Sequence, residues 1–199
     1  LFVPCELPQF SLDKIASMVD MPYTQRAKTV LKDFLTDFTE EELDYCVNGA
    51  YAAEKFSSPK IAPTVNVCGN KNILELWHGP TCAFKDMALQ LLPYLMTVSA
   101  KKTADGKTIV ILVATSGDTG KAALEGFKNV DNTKILVFYP VDGVSPMQKL
   151  QMTTQEGENV AVCAINGNFD DAQSAVKSIF TNEDIKAELA KKNMMFSSA

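Results

Sequence analysis

The segment TIVILVATSGDTG, residues 108–120, decides the predicted fold class. Its first seven residues form a continuous apolar run rich in β-branched side chains, and its last six are turn residues that open a helical pattern. Two similar apolar runs follow at 134–139 and 160–165. Buried strands without polar alternation, joined by helices, are typical of a parallel sheet covered on both faces. The sequence therefore predicts a parallel-sheet α/β lobe over residues 107–199. The helix patterns of this lobe cover 119–129, 146–155 and 170–180. Ser145 and Pro146, with Gln148, form a helix-start pattern for the second of them, with serine as the N-cap and proline at the first helical position.

The beginning of the chain carries helical patterns instead. Apolar residues recur at helical spacing over 10–20 and 23–35. Thr39 and Glu42 form a capping-box pattern, which predicts a helix that starts there and runs to about Phe56. These patterns predict a helical N-terminal region.

The middle of the chain is predicted to form short strands followed by a helix that bends or restarts. Residues 61–77 combine β-branched and turn residues, which favours short strands. A helix pattern over 86–99 contains Pro93, where we expect the helix to bend or to restart because proline has no backbone N–H. The polar stretch 100–106 is a candidate boundary between two lobes. The apolar start of a strand near Met194 indicates that the sheet continues beyond this chain.

The segment HGPTCAFKD, residues 78–86, places Lys85 where a turn meets an apolar helix. Poor solvation there disfavours the ammonium form and makes the free amine available. A free amine condenses with an aldehyde cofactor to form a Schiff base. A lysine in a first helical turn also opposes the helix dipole, which calls for a functional reason. The alternative is a surface lysine that opens a helix.

The segment TSGDTG, residues 115–120, follows a strand and opens a helix. Hydroxyl groups, glycine and backbone N–H groups at a helix N-terminus form a site for a carboxylate or a phosphate. The alternative is a turn with an ordinary helix cap. The segment is not a Walker A loop, because two residues separate its glycines and Ala122 follows Lys121.

A structural role is favoured for the residues of two other segments. The residues NGNFDD at 166–171 are typical of a turn followed by a helix cap. His78 lies in a turn, where a lone histidine is usually structural, although its nearness to Lys85 leaves a role toward cofactor or substrate open.

Composition excludes several classes of function. The net charge of −5 argues against nucleic acid as a partner, and no apolar run is long enough to span a bilayer. The five cysteines include no C-x-x-C pair, which predicts reduced thiols in the cytoplasm. A single histidine leaves little basis for a zinc site or a Ser-His-Asp triad, so no metal is expected. Leu1 stands where an initiator methionine would be, so we expect the chain to begin inside a longer protein.

Together these segments resemble the threonine synthase family, pyridoxal-phosphate (PLP) enzymes of fold type II, the tryptophan synthase β-like fold. NGNFDDAQ is typical of the longer bacterial and fungal branch. The resemblance implies a large cofactor-binding domain that includes residues 61–106, between the helical region at 1–60 and a smaller lobe at 107–199. The matching segments are residues 1–4, 76–90, 114–123, 144–152 and 166–173.

The resemblance also implies roles for individual residues. Lys85 forms the Schiff base with pyridoxal 5'-phosphate and serves as the acid–base group. Phe84 and Asp118 contact the cofactor, and Asp118 stands where many relatives carry asparagine. A carboxylate beside the phenolic oxygen of the cofactor is repulsive unless one of the two holds a proton. The residues implied to bind the substrate carboxylate are Thr115, Ser116, Gly117 and Thr119.

The implied reaction converts O-phospho-L-homoserine and water into L-threonine and phosphate. Two alternatives stay open: a related phospholyase that gives 2-oxobutyrate and ammonia, and a non-catalytic cofactor-binding fragment. A nucleotide-binding module is a more distant alternative. The family's loop for the cofactor phosphate lies downstream of the matched region, so we expect these 199 residues alone to be inactive. We further expect a cytoplasmic monomer or homodimer that acts on a small molecule, without nucleic-acid or membrane partners.

Overall fold

The computed structural model describes residues 3–198 and divides into two compact units, of which the first ends at His78 and the second begins at Gly79. The predicted domain boundaries near residues 60 and 106 concern the longer protein and stay predictions. None of the helices in the described part of the chain is long and apolar enough to span a bilayer.

Within its described residues, 3–78, the first unit contains three helices and a strand pair. Strands β1 and β2 are antiparallel, and most of their side chains are exposed. The buried side chains of this unit lie mainly on the third helix, including Leu43 and Val47. The elements are α1 (Leu12–Ser17), α2 (Tyr23–Phe34), α3 (Glu40–Ala50), β1 (Thr64–Cys68) and β2 (Lys71–Leu74).

The predicted capping box is present at the start of α3, but the predicted end of that helix is wrong. The Thr39 hydroxyl accepts from the Glu42 N–H, and the Glu42 carboxylate accepts from the Thr39 N–H. The helix ends at Ala50, six residues before Phe56. Tyr51 leaves the helical region with φ −110° and ψ 36°, and its ring packs edge-on against another tyrosine in this unit.

The second unit is built on the predicted parallel sheet, in which the strands lie in the order β5 (Val160–Ile165), β4 (Thr133–Pro140), β3 (Thr108–Ala114) and β6 (Met194–Ser198). The expected strand near Met194 is confirmed, since it pairs in parallel with β3 at the edge of the sheet. A helix between residues 183 and 191 was not predicted. The elements are α4 (Asp86–Leu89), α5 (Leu92–Thr103), β3 (Thr108–Ala114), α6 (Asp118–Phe127), β4 (Thr133–Pro140), α7 (Pro146–Thr153), β5 (Val160–Ile165), α8 (Phe169–Thr181), α9 (Glu183–Lys191) and β6 (Met194–Ser198).

Helices cover both faces of this sheet. Alternate residues of β3, such as Ile109 and Ile111, pack in one core with α6 residues such as Leu124. The other face contacts α8, where Ala172 and Val176 are buried outside that core. The edge strand β5 is more exposed than β3, as expected for a strand with one neighbour.

The helix pattern over 86–99 forms two helices, so the predicted restart near Pro93 is confirmed. The first, α4, ends at Leu89, and α5 begins at Leu92 with Pro93 in its first turn. Proline is tolerated there because N–H groups of a first turn have no intrahelical partner. The break therefore falls just before Pro93, and it leaves α4 as a single turn after Lys85.

Candidate active site

The turn at 79–86, here called the lysine turn, is closed by a buried carboxyl group. Asp86 is fully buried, and its Oδ2 and Oδ1 accept from the Thr81 N–H at 2.9 Å and the Thr81 hydroxyl at 2.7 Å. A side chain at Gly79 would overlap the Asp86 side chain. Burial raises the pKa of Asp86, although the Thr81 hydrogen bonds oppose the shift. Gly79, Thr81 and Asp86 thus hold the lysine turn closed.

The lysine turn presents Lys85 beside an aromatic ring. Lys85 is half-buried and precedes α4, and its Nζ lies 4.9 Å from the centroid of the Phe84 ring. The expected burial of this neighbourhood is only partly correct. Leu89 is buried, but Phe84 is 58% exposed and Ala88 is exposed as well. Because α4 is a single turn, one side packs on the core while the opposite side stays open.

The loop at 115–120, here called the β3–α6 loop, is closed by a hydroxyl group. Thr115 is buried, and its Oγ1 accepts from the N–H groups of Gly117 at 3.0 Å and Gly120 at 2.9 Å. The same hydroxyl donates to the Gly117 carbonyl at 3.1 Å. A side chain at Gly120 would overlap the Thr115 side chain. The Thr115 hydroxyl is therefore fully engaged in shaping the loop.

The other loop residues surround the start of α6. Gly117 has φ +148° and ψ −99°, a conformation that strongly favours glycine. Ser116 and Asp118 are exposed, and Thr119 is half-buried. The first N–H groups of a helix have no intrahelical acceptor, so this end of α6 can bind a negatively charged group.

The elements that carry the two segments pack together within the second unit. Helix α4, which follows Lys85, contacts α6, which begins at Asp118. Gly126 of α6 makes this approach close, because a side chain there would overlap the Leu89 carbonyl oxygen. The sequence motifs did not indicate this helix contact, since it joins residues far apart in the chain.

The sequence predicted Gln148 only as part of a helix start and gave it no role in the site. Gln148 lies in α7, and its Nε2 donates to Asp118 Oδ1 at 2.7 Å. The helix-start pattern Ser145-Pro146 with Gln148 is confirmed as a capping box. That spacing located the helix cap, but no feature of the sequence indicated the second contact, to a residue thirty positions away.

His78 and the segment NGNFDD have structural contacts. In the first unit, His78 Nδ1 lies 2.8 Å from the Ser57 hydroxyl, and its Nε2 lies 2.7 Å from the Glu75 carboxylate. These contacts tie together the loops of that unit. Asn168 and Asp171 form a capping box for α8, which confirms the predicted cap. No group of three or more potential ligands that could hold a metal ion occurs within residues 3–198.

Comparisons with known proteins agree with the motifs. A family model described as the threonine synthase N terminus matches residues 1–51. A threonine synthase of Pseudomonas aeruginosa is 43% identical over 185 residues, which are 92% of this chain and 38% of that protein. The human protein named threonine synthase-like 1 is 38% identical over 192 residues, covering 92% of this chain and 25% of the relative.

A solved structure shows the same fold. PLP-bound threonine synthase from Brucella melitensis matches with a TM-score of 0.86 and 37% sequence identity, over 99% of this chain and 41% of that one. The predicted fold class is thereby confirmed: this is the α/β fold of an enzyme solved with PLP bound. By sequence and by fold, the chain is similar to threonine synthases, and it spans about two fifths of the length of these two relatives.

Proposed function

We propose that the full-length protein is a threonine synthase, which converts O-phospho-L-homoserine and water into L-threonine and phosphate. The observation that carries this proposal is the closed lysine turn, which presents Lys85 beside an exposed aromatic ring. The turn occurs in a chain that is 43% identical to a threonine synthase and that shares the fold of a PLP-bound one.

The residues around Lys85 fit pyridoxal phosphate. The amine is only half-buried, so an aldehyde can reach it, and the open face of Phe84 offers apolar area to a planar ring. Asp118 is exposed at the start of a helix that packs on α4. We assign cofactor binding to Lys85, Phe84 and Asp118, with the covalent link at Lys85 Nζ.

The β3–α6 loop fits the carboxylate of the substrate. Ser116 and Thr119 carry hydroxyl groups at the start of α6, where backbone N–H groups and the helix dipole favour an anion. Thr115 and Gly117 contribute to this site through the shape of the loop, because the Thr115 hydroxyl is engaged internally.

Bound pyridoxal phosphate supplies an electron sink for negative charge at the substrate carbon. The chain supplies placement and proton transfer. With pyridoxal phosphate bound, Lys85 Nζ would be the base that takes a proton from the substrate Cα. The loop hydroxyls hold the substrate carboxylate, so that the Cα proton faces this amine. Loss of phosphate from Cγ also requires that a proton leave Cβ. A proton is then taken up at Cγ, and water adds with its hydroxyl group at Cβ while a proton returns to Cα.

Borohydride reduction of the full-length protein with pyridoxal phosphate tests this assignment. We expect a reduced cofactor adduct on Lys85, located by mass spectrometry of peptides. Lys85→Ala removes the adduct, whereas Lys101→Ala, which changes an exposed lysine of α5, keeps it. An adduct on another side chain, or none, contradicts the proposal.

Product analysis separates the remaining alternatives. Incubation with O-phospho-L-homoserine should release threonine and phosphate in equal amounts. Release of 2-oxobutyrate and ammonia instead identifies a phospholyase, and an adduct without turnover identifies a cofactor-binding protein. We propose that the 199-residue segment alone gives no turnover. Cytoplasmic location and a monomeric or homodimeric state stay predictions, which fractionation and size-exclusion chromatography test.

A further inference from the structure

Asp118 is held by one side chain of another helix. Its Oδ1 accepts from Gln148 Nε2 at 2.7 Å, and within residues 3–198 no other side chain donates to it. The nearest basic residue on its own helix face, Lys121, is engaged by Glu125 and Gln155 instead. Asp118 therefore depends on Gln148 for a fixed partner.

The Gln148 amide is itself held in one orientation. Its Oε1 accepts from the Ser145 N–H at 3.1 Å as part of the α7 capping box. Because the oxygen of the amide faces Ser145, the Nε2 group is directed at Asp118. The cap thus fixes the donor as well as the helix start.

Gly117 provides the space for this contact. A side chain at Gly117 would overlap the amide group of Gln148, so the β3–α6 loop closes around that amide. Gly117 thereby serves two needs, the positive φ of the loop and the approach of Gln148. A carboxylate at this position also lies in the favourable field at the N-terminus of α6.

We infer that Gln148 is a positioning residue that orients the Asp118 carboxylate toward the cofactor. This inference rests on the proposed cofactor contact of Asp118. One carboxylate oxygen is bound to the amide, and Oδ2 has no partner among residues 3–198. The amide N–H offsets part of the negative charge that Asp118 brings to the phenolic oxygen of the cofactor. Gln148 thus makes aspartate acceptable at a position where an uncompensated carboxylate is repulsive.

Gln148→Glu tests the inference in the full-length protein. Glutamate keeps an oxygen for the Ser145 N–H but places a second carboxylate against Asp118. We expect the dissociation constant for pyridoxal phosphate to rise roughly tenfold, since hydrogen bonds to charged groups contribute about that much. We also expect a changed ratio of the two absorbance bands of the bound cofactor, which reports the proton at its phenolic oxygen.

Combining Gln148→Glu with Asp118→Asn distinguishes a positioning role of Gln148 from a purely structural one. In an Asp118→Asn background, the asparagine amide can donate to the carboxylate that Gln148→Glu introduces, so Gln148→Glu should change the dissociation constant less than about threefold there. A residue that only caps α7 gives equal losses in both backgrounds, and that result overturns the inference. If Gln148→Glu does not fold, Gln148→Met takes its place, with the absorbance ratio as the readout.

Ser145→Ala is the matched control. It removes the hydroxyl that accepts from the Gln148 N–H but keeps the backbone donor for Gln148 Oε1. We expect a lower Tm with an unchanged cofactor spectrum. An unchanged spectrum in Gln148→Glu, with an intact Lys85 adduct, refutes the inference and leaves the proposed function standing. Absence of the adduct in the wild-type protein refutes both.

Discussion

The lysine turn and the β3–α6 loop are both closed by hydrogen bonds to one side chain, but that side chain is a carboxylic acid in the first and an alcohol in the second. Each is closed by one buried side chain that satisfies two donors, Asp86 in the first and Thr115 in the second. Asp86 is ionisable, and burial disfavours its charged form, whereas the Thr115 hydroxyl is neutral at every relevant pH. The turn that holds the proposed catalytic amine is therefore the one whose stability responds to pH.

The largest effect is expected from replacing Lys85, the side chain that the lysine turn presents. Lys85→Ala should lower threonine formation by the full-length protein about 10²–10⁴-fold, which is the usual contribution of one acid–base group. Neither closing side chain is altered, so the Tm of the cofactor-free protein should stay close to that of the wild type. Steady-state kinetics measure the loss, with Lys101→Ala as control. Retained turnover would remove Lys85 from the mechanism.

Removing the closing group of the lysine turn should give the largest loss of stability. Asp86→Ala leaves the N–H and hydroxyl of Thr81 buried without an acceptor, which lowers the free energy of unfolding by about 3 kcal/mol. Asp86→Asn keeps one acceptor and should lose less. Denaturant unfolding of the cofactor-free protein measures both, and the exposed Asp131→Ala serves as control. Equal stability of Asp86→Ala and wild type contradicts the assigned role.

The β3–α6 loop should be sensitive to its backbone geometry. Gly117→Ala forces a side chain into φ +148° and against Gln148, so we expect a loss of about 2 kcal/mol. Gly106→Ala is the matched control, because Gly106 also has positive φ but no atom lies near its missing side chain. Similar losses in the two variants would show that the contact with Gln148 contributes nothing.

Removing the closing hydroxyl of the β3–α6 loop should have a smaller effect than removing Asp86. Thr115→Val preserves the side-chain volume but leaves the N–H groups of Gly117 and Gly120 without their acceptor, for a loss of about 1–2 kcal/mol. Thr115→Ser retains the hydroxyl and should stay nearer the wild type. Unfolding curves for the two variants decide between a hydrogen-bonding role and a role in packing alone.

The smallest expected effect is the pH dependence that distinguishes the two closing groups. The pKa of Asp86 is raised in the folded state, so above about pH 4 the native protein binds more protons than the unfolded chain. The contribution of Asp86 to stability therefore falls as pH rises through that raised pKa. Asp86→Asn removes this slope, and Thr115→Val retains it. Denaturant unfolding across the acidic range compares the slopes, and equal slopes in wild type and Asp86→Asn would contradict the shift.

Several elements could be read from local sequence because local interactions form them. The apolar run at 108–114 became β3, and the spacings of Thr39 with Glu42 and of Ser145 with Gln148 became capping boxes. Each depends on residues within one strand or one helical turn. The end of α3 was predicted too far along, because apolar residues after Ala50 continue the pattern while they pack in a non-helical turn.

The sequence by itself determined the parallel sheet, the capped starts of α3, α7 and α8, and the position of Lys85 before a helix, since continuous apolar runs and capping patterns act over a few residues. Only the tertiary structure decided that Asp86 closes the turn before Lys85, that the Thr115 hydroxyl is engaged within its loop, and that Gln148 holds Asp118. The first two contacts are local, but they depend on the direction in which each side chain turns, which packing decides and residue spacing does not. The third joins two side chains thirty positions apart, which only the folded unit brings together.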